Sequence, residues 1–104
     1  MGAYGLDWPA WAALFTDDAT YVEHYLGRFT GRAEIEQWIT SCMADYPAMT
    51  FSVDWWVVDG DRVVFYIWNN LPDPAGGDTP YRFPNATILN YAGDGKWDYE
   101  EDVY

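Results

Sequence analysis

His24 is the lone histidine of the chain, and its type alone makes it the first candidate for chemistry. Imidazole titrates near neutrality, so it can take and return a proton under ordinary conditions, acting as base on an acidic carbon–hydrogen bond or helping to eliminate water. A histidine hydrogen-bonded within a core, or turned into a contact between copies, is the competing reading. Glu101 is the partner such a base would want. On the last apolar–polar alternation Trp97, Tyr99, Glu101 and Val103 share one face, and Glu101 is its one charge. A carboxylate beside His24 would orient the ring and raise its basicity. Against this stands the plain reading of Glu101 as a solvated surface acid. Asn85 and Thr87 could supply amide or hydroxyl donors to a ligand carbonyl or hydroxyl. Asp54 lies mid-strand beside Trp55 and Trp56, either as a functional acid or as a solvated edge-strand one. Cys42 is the only cysteine, which forbids an internal disulfide, and it falls on an apolar helix face where an inert thiol is expected. No cysteine cluster or HExxH-type spacing suggests a zinc site, and no cofactor is implied.

These side chains need elements to position them. Asp7 can cap a short helix over roughly residues 8–15, with Pro9 in its first turn. Thr20 to Leu26 alternates as a strand, with Thr20, Val22, His24 and Leu26 on the more aliphatic face and Tyr21, Glu23 and Tyr25 on the other. Gly31 to Asp45 carries Ile35, Trp38, Ile39, Cys42, Met43 and Tyr46 at three- and four-residue steps, one apolar stripe of a helix that Pro47 stops. Thr50–Val58 and Arg62–Asn70 are strands joined through Asp59-Gly60, a hairpin signal. Both faces of this hairpin are apolar, so both need cover. Leu71 to Pro80 is a turn-rich loop, either a lid over a pocket or a long hairpin connection. Tyr81–Tyr91 and Trp97–Tyr104 are the last strands, separated by the turn AGDGK. The segregated order predicts one α+β domain over 1–104 with a mostly antiparallel sheet. Trp55, Trp56, Trp68 and Trp97 could line a pocket for a flat or cyclic apolar ligand, or build a core and an oligomer face.

Composition narrows the function classes. Seventeen acidic against five basic residues give a formal charge of −12, which disfavours nucleic acid and an anionic membrane surface. Half the residues are hydrophobic, enough for a core, yet no apolar run approaches membrane-helix length. Residues 1–11 show no signal-peptide pattern, so a cytoplasmic protein is the default expectation.

The run Leu14, Phe15, Asp17-Asp18-Ala19-Thr20, Val22-Glu23-His24, then Gly31, Glu34, Ile35 and Trp38, resembles the nuclear transport factor 2-like superfamily. That superfamily includes ketosteroid isomerases, SnoaL-type polyketide cyclases, limonene epoxide hydrolases and scytalone dehydratases. The resemblance implies a curved sheet wrapped around a helix, a cone with one open mouth and a pocket inside. It also implies that most of the family's long N-terminal helix, which carries an oxyanion-hole tyrosine, is missing here. Ketosteroid isomerases show a similar run with their catalytic aspartate at the place of His24, given a one-residue shift around Tyr21. Their second aspartate's place falls near Thr87. An Asp–Arg–Asp arrangement of epoxide-hydrolase type is not found around Arg28, Arg32, Arg62 or Arg82. The resemblance therefore implies a small-molecule pocket protein. Its expected activity is cofactor-free proton transfer (isomerase, dehydratase, cyclase or hydrolase) with His24 and Glu101 as catalytic pair. Val22, Trp38, Asp54, Trp56, Asn85, Thr87 and Tyr99 are the expected ligand contacts. A non-catalytic binder of an apolar ring-containing ligand, or a structural oligomer with a filled cone, are the alternatives. Family members commonly dimerise through the convex sheet face, so a homodimer is expected.

Overall fold

The computed structural model describes residues 7–104; the reading of residues 1–6 as part of a leaderless start lies outside the described residues. Asp7 caps α1 (Trp8–Ala12) by accepting a hydrogen bond from the Ala10 N–H at 3.0 Å, with Pro9 in the first turn. The helix is shorter than the sequence predicts because Phe15 already belongs to the sheet. β1 (Phe15–Glu23) turns through His24, Tyr25 and Leu26 into β2 (Gly27–Thr30), an antiparallel hairpin in which Thr20 faces Thr30 and Glu23 faces Gly27. The predicted strand at Thr20–Leu26 is thus the end of a longer one plus a turn, closed by Leu26 N–H donating to Glu23 O at 3.0 Å.

α2 (Arg32–Met43) follows Gly31, whose φ of +90° admits few side chains. Glu34 in its first turn accepts from the Thr30 N–H at 2.8 Å, where a carboxylate also suits the positive helix end. Ile35 and Ile39 of the predicted stripe are buried. β3 (Thr50–Asp59), β4 (Arg62–Leu71), β5 (Tyr81–Gly93) and β6 (Lys96–Val103) complete the chain. β3 and β4 are joined by the two-residue turn Gly60-Asp61, with Gly60 at φ +59° as a tight hairpin requires. Residues 72–80 form a compact loop rather than a lid. Asp73 accepts from the Ala75 and Thr79 N–H groups at 2.8 and 3.2 Å, and none of these residues reaches the interior cavity.

The six strands form one curved, unclosed sheet in the order β2-β1-β6-β5-β4-β3. Among the described residues only β1 and β6 run parallel. α2 lies in the concavity against β1 and β2. The core is Phe15, Ala19, Tyr21 and Ile35, with Trp11, Phe29, Trp38 and Trp97 packed around it. Trp38 stacks on Phe29 at 4.4 Å and tilts against Tyr21 at 4.9 Å.

The inward face of β1 corrects the sequence reading. Ala19, Tyr21 and Glu23 are buried, while Val22 and His24 point the other way. The Tyr21 ring fills the space between Trp11 and Trp38, a volume that no aliphatic side chain of the other face would fill. The apolar hairpin stays uncovered on its outer side: β3 is exposed along almost its whole length.

Candidate functional site

Between the two helices and the concave side of the sheet lies a cavity of about 710 Å³. Its walls are mainly apolar, with Trp8, Trp11, Trp38, Ile39, Phe65 and Phe83 among them. Strand register explains its polar end. β1 runs parallel to β6 so that Tyr21 lies beside Glu100 and Glu23 beside Asp102, and antiparallel β5 sets Thr87 on the far side of Asp102. Paired residues on neighbouring strands share a face, as do residues two apart along one strand. One inward row is therefore Glu23–Asp102–Thr87, and the row next to it is Tyr21–Glu100–Leu89.

Three carboxyls thus face inward, each under a tenth exposed: Glu23 at 3%, Glu100 at 7% and Asp102 at 8%. Their hydrogen bonds run in one direction. Asn69 Nδ2 donates to Asn85 Oδ1 at 2.7 Å, Asn85 Nδ2 to Thr87 Oγ1 at 2.9 Å, and Thr87 Oγ1 to Asp102 Oδ1 at 2.9 Å. The Tyr21 hydroxyl donates to the other oxygen of Asp102. Glu23 accepts from the Tyr104 hydroxyl at 2.6 Å and from the Tyr25 N–H at 3.0 Å.

Burial sets the protonation of this cluster. Desolvation first, and the Asp102 charge second, push the Glu100 carboxyl well above the usual carboxylate range. Asp102 is also raised by desolvation, but hydrogen bonds from Tyr21, Glu100 and Thr87 pull it back. Both carboxyls are thus raised, and Glu100, which lacks the donors that Asp102 has in Tyr21 and Thr87, holds its proton the more firmly. The Tyr21 phenol is driven up by desolvation and then by Glu100 and Asp102, so it remains a donor. Desolvation and Glu23 do the same to Tyr104.

The pair expected from the sequence does form, on the other side of the sheet. His24 Nε2 lies 2.6 Å from Glu101 Oε2, but the side chains are 52% and 24% exposed and neither lines the cavity. Glu101 is held below the usual carboxylate range by its hydrogen bond with His24 and, next, by that from Tyr99 at 2.8 Å. Val22 and Tyr99 belong to this outer face as well. Asp54 sits at the bulge of β3, accepting from Trp68 Nε1 at 3.2 Å, and Trp56 is exposed; neither reaches the cavity. Trp38, Asn85 and Thr87 are the expected contacts that the structure does place there. The physical reason is parity: a strand's faces alternate, so taking β1 and β6 in the wrong phase moved Val22, His24, Tyr99 and Glu101 together.

Tyr21, Glu23, Asn69, Glu100, Asp102 and Tyr104 were not foreseen. One signal was available. A one-residue shift around Tyr21, on which the placing of His24 rested, turns the strand over and brings the neighbours of His24 inward. Thr87, the place implied for the second aspartate, bonds directly to Asp102. Among the described residues no group of three His, Cys, Asp or Glu side chains is arranged to hold a metal ion. Cys42 lines the cavity, but desolvation raises its thiol, which keeps it protonated and unreactive.

Comparison with known proteins agrees with this architecture. The sequence matches the SnoaL-like domain family over residues 5–99, and the chain belongs to that family. A protein of ketosteroid isomerase-like fold from Catenulispora acidiphila, solved in complex with trimethylamine, is similar at 27% identity and TM-score 0.81, covering 98% of this chain and 78% of that one. TerC, co-crystallised with polyporic acid, shares the fold at 18% identity and TM-score 0.75, covering 94% and 78%. A cystatin-fold protein from Novosphingobium aromaticivorans does so at 16% identity and TM-score 0.77, covering 98% and 88%. No curated protein matches the sequence. No helix among the described residues is long and apolar enough to cross a membrane.

Proposed function

We propose that the chain binds a small, largely apolar cyclic molecule in the concave cavity and moves a proton on it without a cofactor. The proton is handled by Glu100 and Asp102 rather than by His24. The observation that carries this is the placing of two buried carboxyls, Glu100 and Asp102, at the polar end of an apolar cavity, with Asp102 accepting from Tyr21 and Thr87. Groups whose surroundings push their protonation apart are suited to opposite roles. Asp102 takes a proton from carbon or from a hydroxyl; Glu100 gives its own to the developing oxyanion; the proton then passes back from Asp102 to its neighbour Glu100, and the pair is reset. Asn69, Asn85 and Thr87 hold Asp102 in place. An isomerase, dehydratase, cyclase or hydrolase can all be built on this step. The small organic molecules bound by the Catenulispora protein and by TerC support a pocket for ligands of this size.

The test needs no knowledge of the natural substrate. Cyclohex-2-enone and related cyclic ketones in D2O report proton transfer as deuterium uptake beside the carbonyl, read by NMR. The wild-type protein accelerates uptake, and Asp102→Asn lowers that acceleration by about a hundredfold or more, the scale of a general base. Binding of the ketones without acceleration favours the non-catalytic binder instead.

The exposed outer side of β3 supports a second proposal, a homodimer in which another copy of the chain covers Trp55 and Val57, which lie on that side with Tyr66. Exposed apolar side chains at this density mark a contact surface.

A further inference from the structure

We propose that the ligand of the cavity carries a cationic amine or quaternary ammonium group, seated against Glu23, Glu100 and Asp102 in a cavity that Trp11, Tyr21 and Trp38 also line. The inference rests on the reading of the cavity as a ligand site and specifies the charge of what it takes.

Three features of the site point to this class. First, the described lining contains three carboxyls and no arginine, lysine or histidine. Buried carboxyls normally meet a countercharge from the protein. Here the only answers are protons or an incoming cation. Second, the hydroxyls at this end are already committed. Tyr21 and Thr87 donate to Asp102, and Tyr104 donates to Glu23. An anionic ligand would meet carboxyls and no hydroxyl free to greet it, whereas a cation meets acceptors already oriented by those donors. Third, the rings of Trp11, Tyr21 and Trp38 line the same cavity as the acids. The negative faces of such rings attract alkylammonium groups, most strongly where water is excluded. The remaining wall is apolar and suits the alkyl or ring body of the same molecule.

The experiment compares two probes of one shape, choline and its neutral carbon isostere 3,3-dimethylbutan-1-ol. Dissociation constants are read by tryptophan fluorescence and calorimetry at about 0.15 M salt, where diffuse attraction to the acidic surface is screened. Choline is expected to bind about tenfold or more tightly than the isostere, the scale of a desolvated cation over aromatic rings and carboxylates. Asp102→Asn, and Glu23→Gln as a second variant should the first fail to fold, weaken choline until the two probes lie within about twofold of each other. Equal affinity of the probes in the wild type overturns the proposal. So does a preference for choline that survives both variants, since net charge alone would then explain it. If neither probe binds but the cyclic ketones do, the cation proposal falls and the cavity reading stands. If no ligand of any kind binds, both fall together.

Discussion

Replacing Glu100 by Gln tests the protonation of the cavity most directly. The amide has the shape of a protonated carboxyl and cannot ionise. In the wild type, desolvation and the neighbouring Asp102 raise the Glu100 carboxyl far above its ordinary value of 4.5. A carboxyl raised in the folded state binds more protons there than in the unfolded chain. Its contribution to stability is fully present below the unfolded value and is lost as pH rises through the folded one. Each proton so retained costs at most about 1.4 kcal/mol of stability per pH unit across that window. From pH 5 to pH 7 the wild type should therefore lose up to about 2.7 kcal/mol that Glu100→Gln keeps. General repulsion within a chain of net charge −12 lowers both curves alike and cancels in their difference. Urea titrations at pH 5, 6, 7 and 8, followed by the fluorescence of the seven tryptophans, give the two stability curves. The variant should gain on the wild type as pH rises from 5. Some downward slope remains in the variant, because Asp102 is raised by its own desolvation. Parallel curves, or a variant that loses ground as pH rises, would refute the assignment of the proton to Glu100.

Two further outcomes follow from the outer face. His24→Ala removes a half-exposed ion pair, so stability falls by no more than about 1 kcal/mol and ligand affinity in the cavity stays within about twofold. That stabilisation is present above the unfolded value of Glu101 and fades as pH falls through its lowered folded value; a tenfold loss of ligand affinity in this variant would return His24 to the site. Light scattering should give twice the chain mass for the wild type and the single chain mass for Val57→Glu, whose charge would fall inside the covered outer face. A monomeric wild type ends the dimer reading.

Much of the architecture is legible in the sequence because it rests on strong local signals. The three- and four-residue stripe of Ile35, Trp38, Ile39 and Cys42 can only bury one side of a helix, and α2 does lie in the sheet's concavity. Asp59-Gly60 and the alternating runs around it give β3 and β4 almost to the residue. The site is less legible, for a physical reason. Choosing the inner face of β1 by aliphatic content favours Val22 and Leu26 over Tyr21 and Glu23. That criterion assumes the inner face meets a packed core. Here it meets a cavity, and a cavity takes a large aromatic that keeps its hydroxyl and an acid that a solid core would reject.

β6 shows the same conflict more sharply. One face of Lys96–Val103 carries Trp97, Tyr99 and Val103, the other Asp98, Glu100 and Asp102. Any rule of apolar-inward would turn the first face to the core, yet Glu100 and Asp102 are buried and Val103 is exposed. The parallel register with β1 forces this, since Tyr21 and Glu23 point inward and their neighbours on β6 are Glu100 and Asp102. Placing two carboxyls side by side away from water costs stability, as the raised protonation of both records. A sequence that accepts such a cost at the polar end of an apolar cavity departs from its own folding rules where function would require it. His24 and Glu101 violate no such rule: they are an exposed pair of opposite charge types on the outer surface, which folding alone explains. The acids that break the pattern, not the histidine that fits it, are therefore where the chemistry of this chain should be sought.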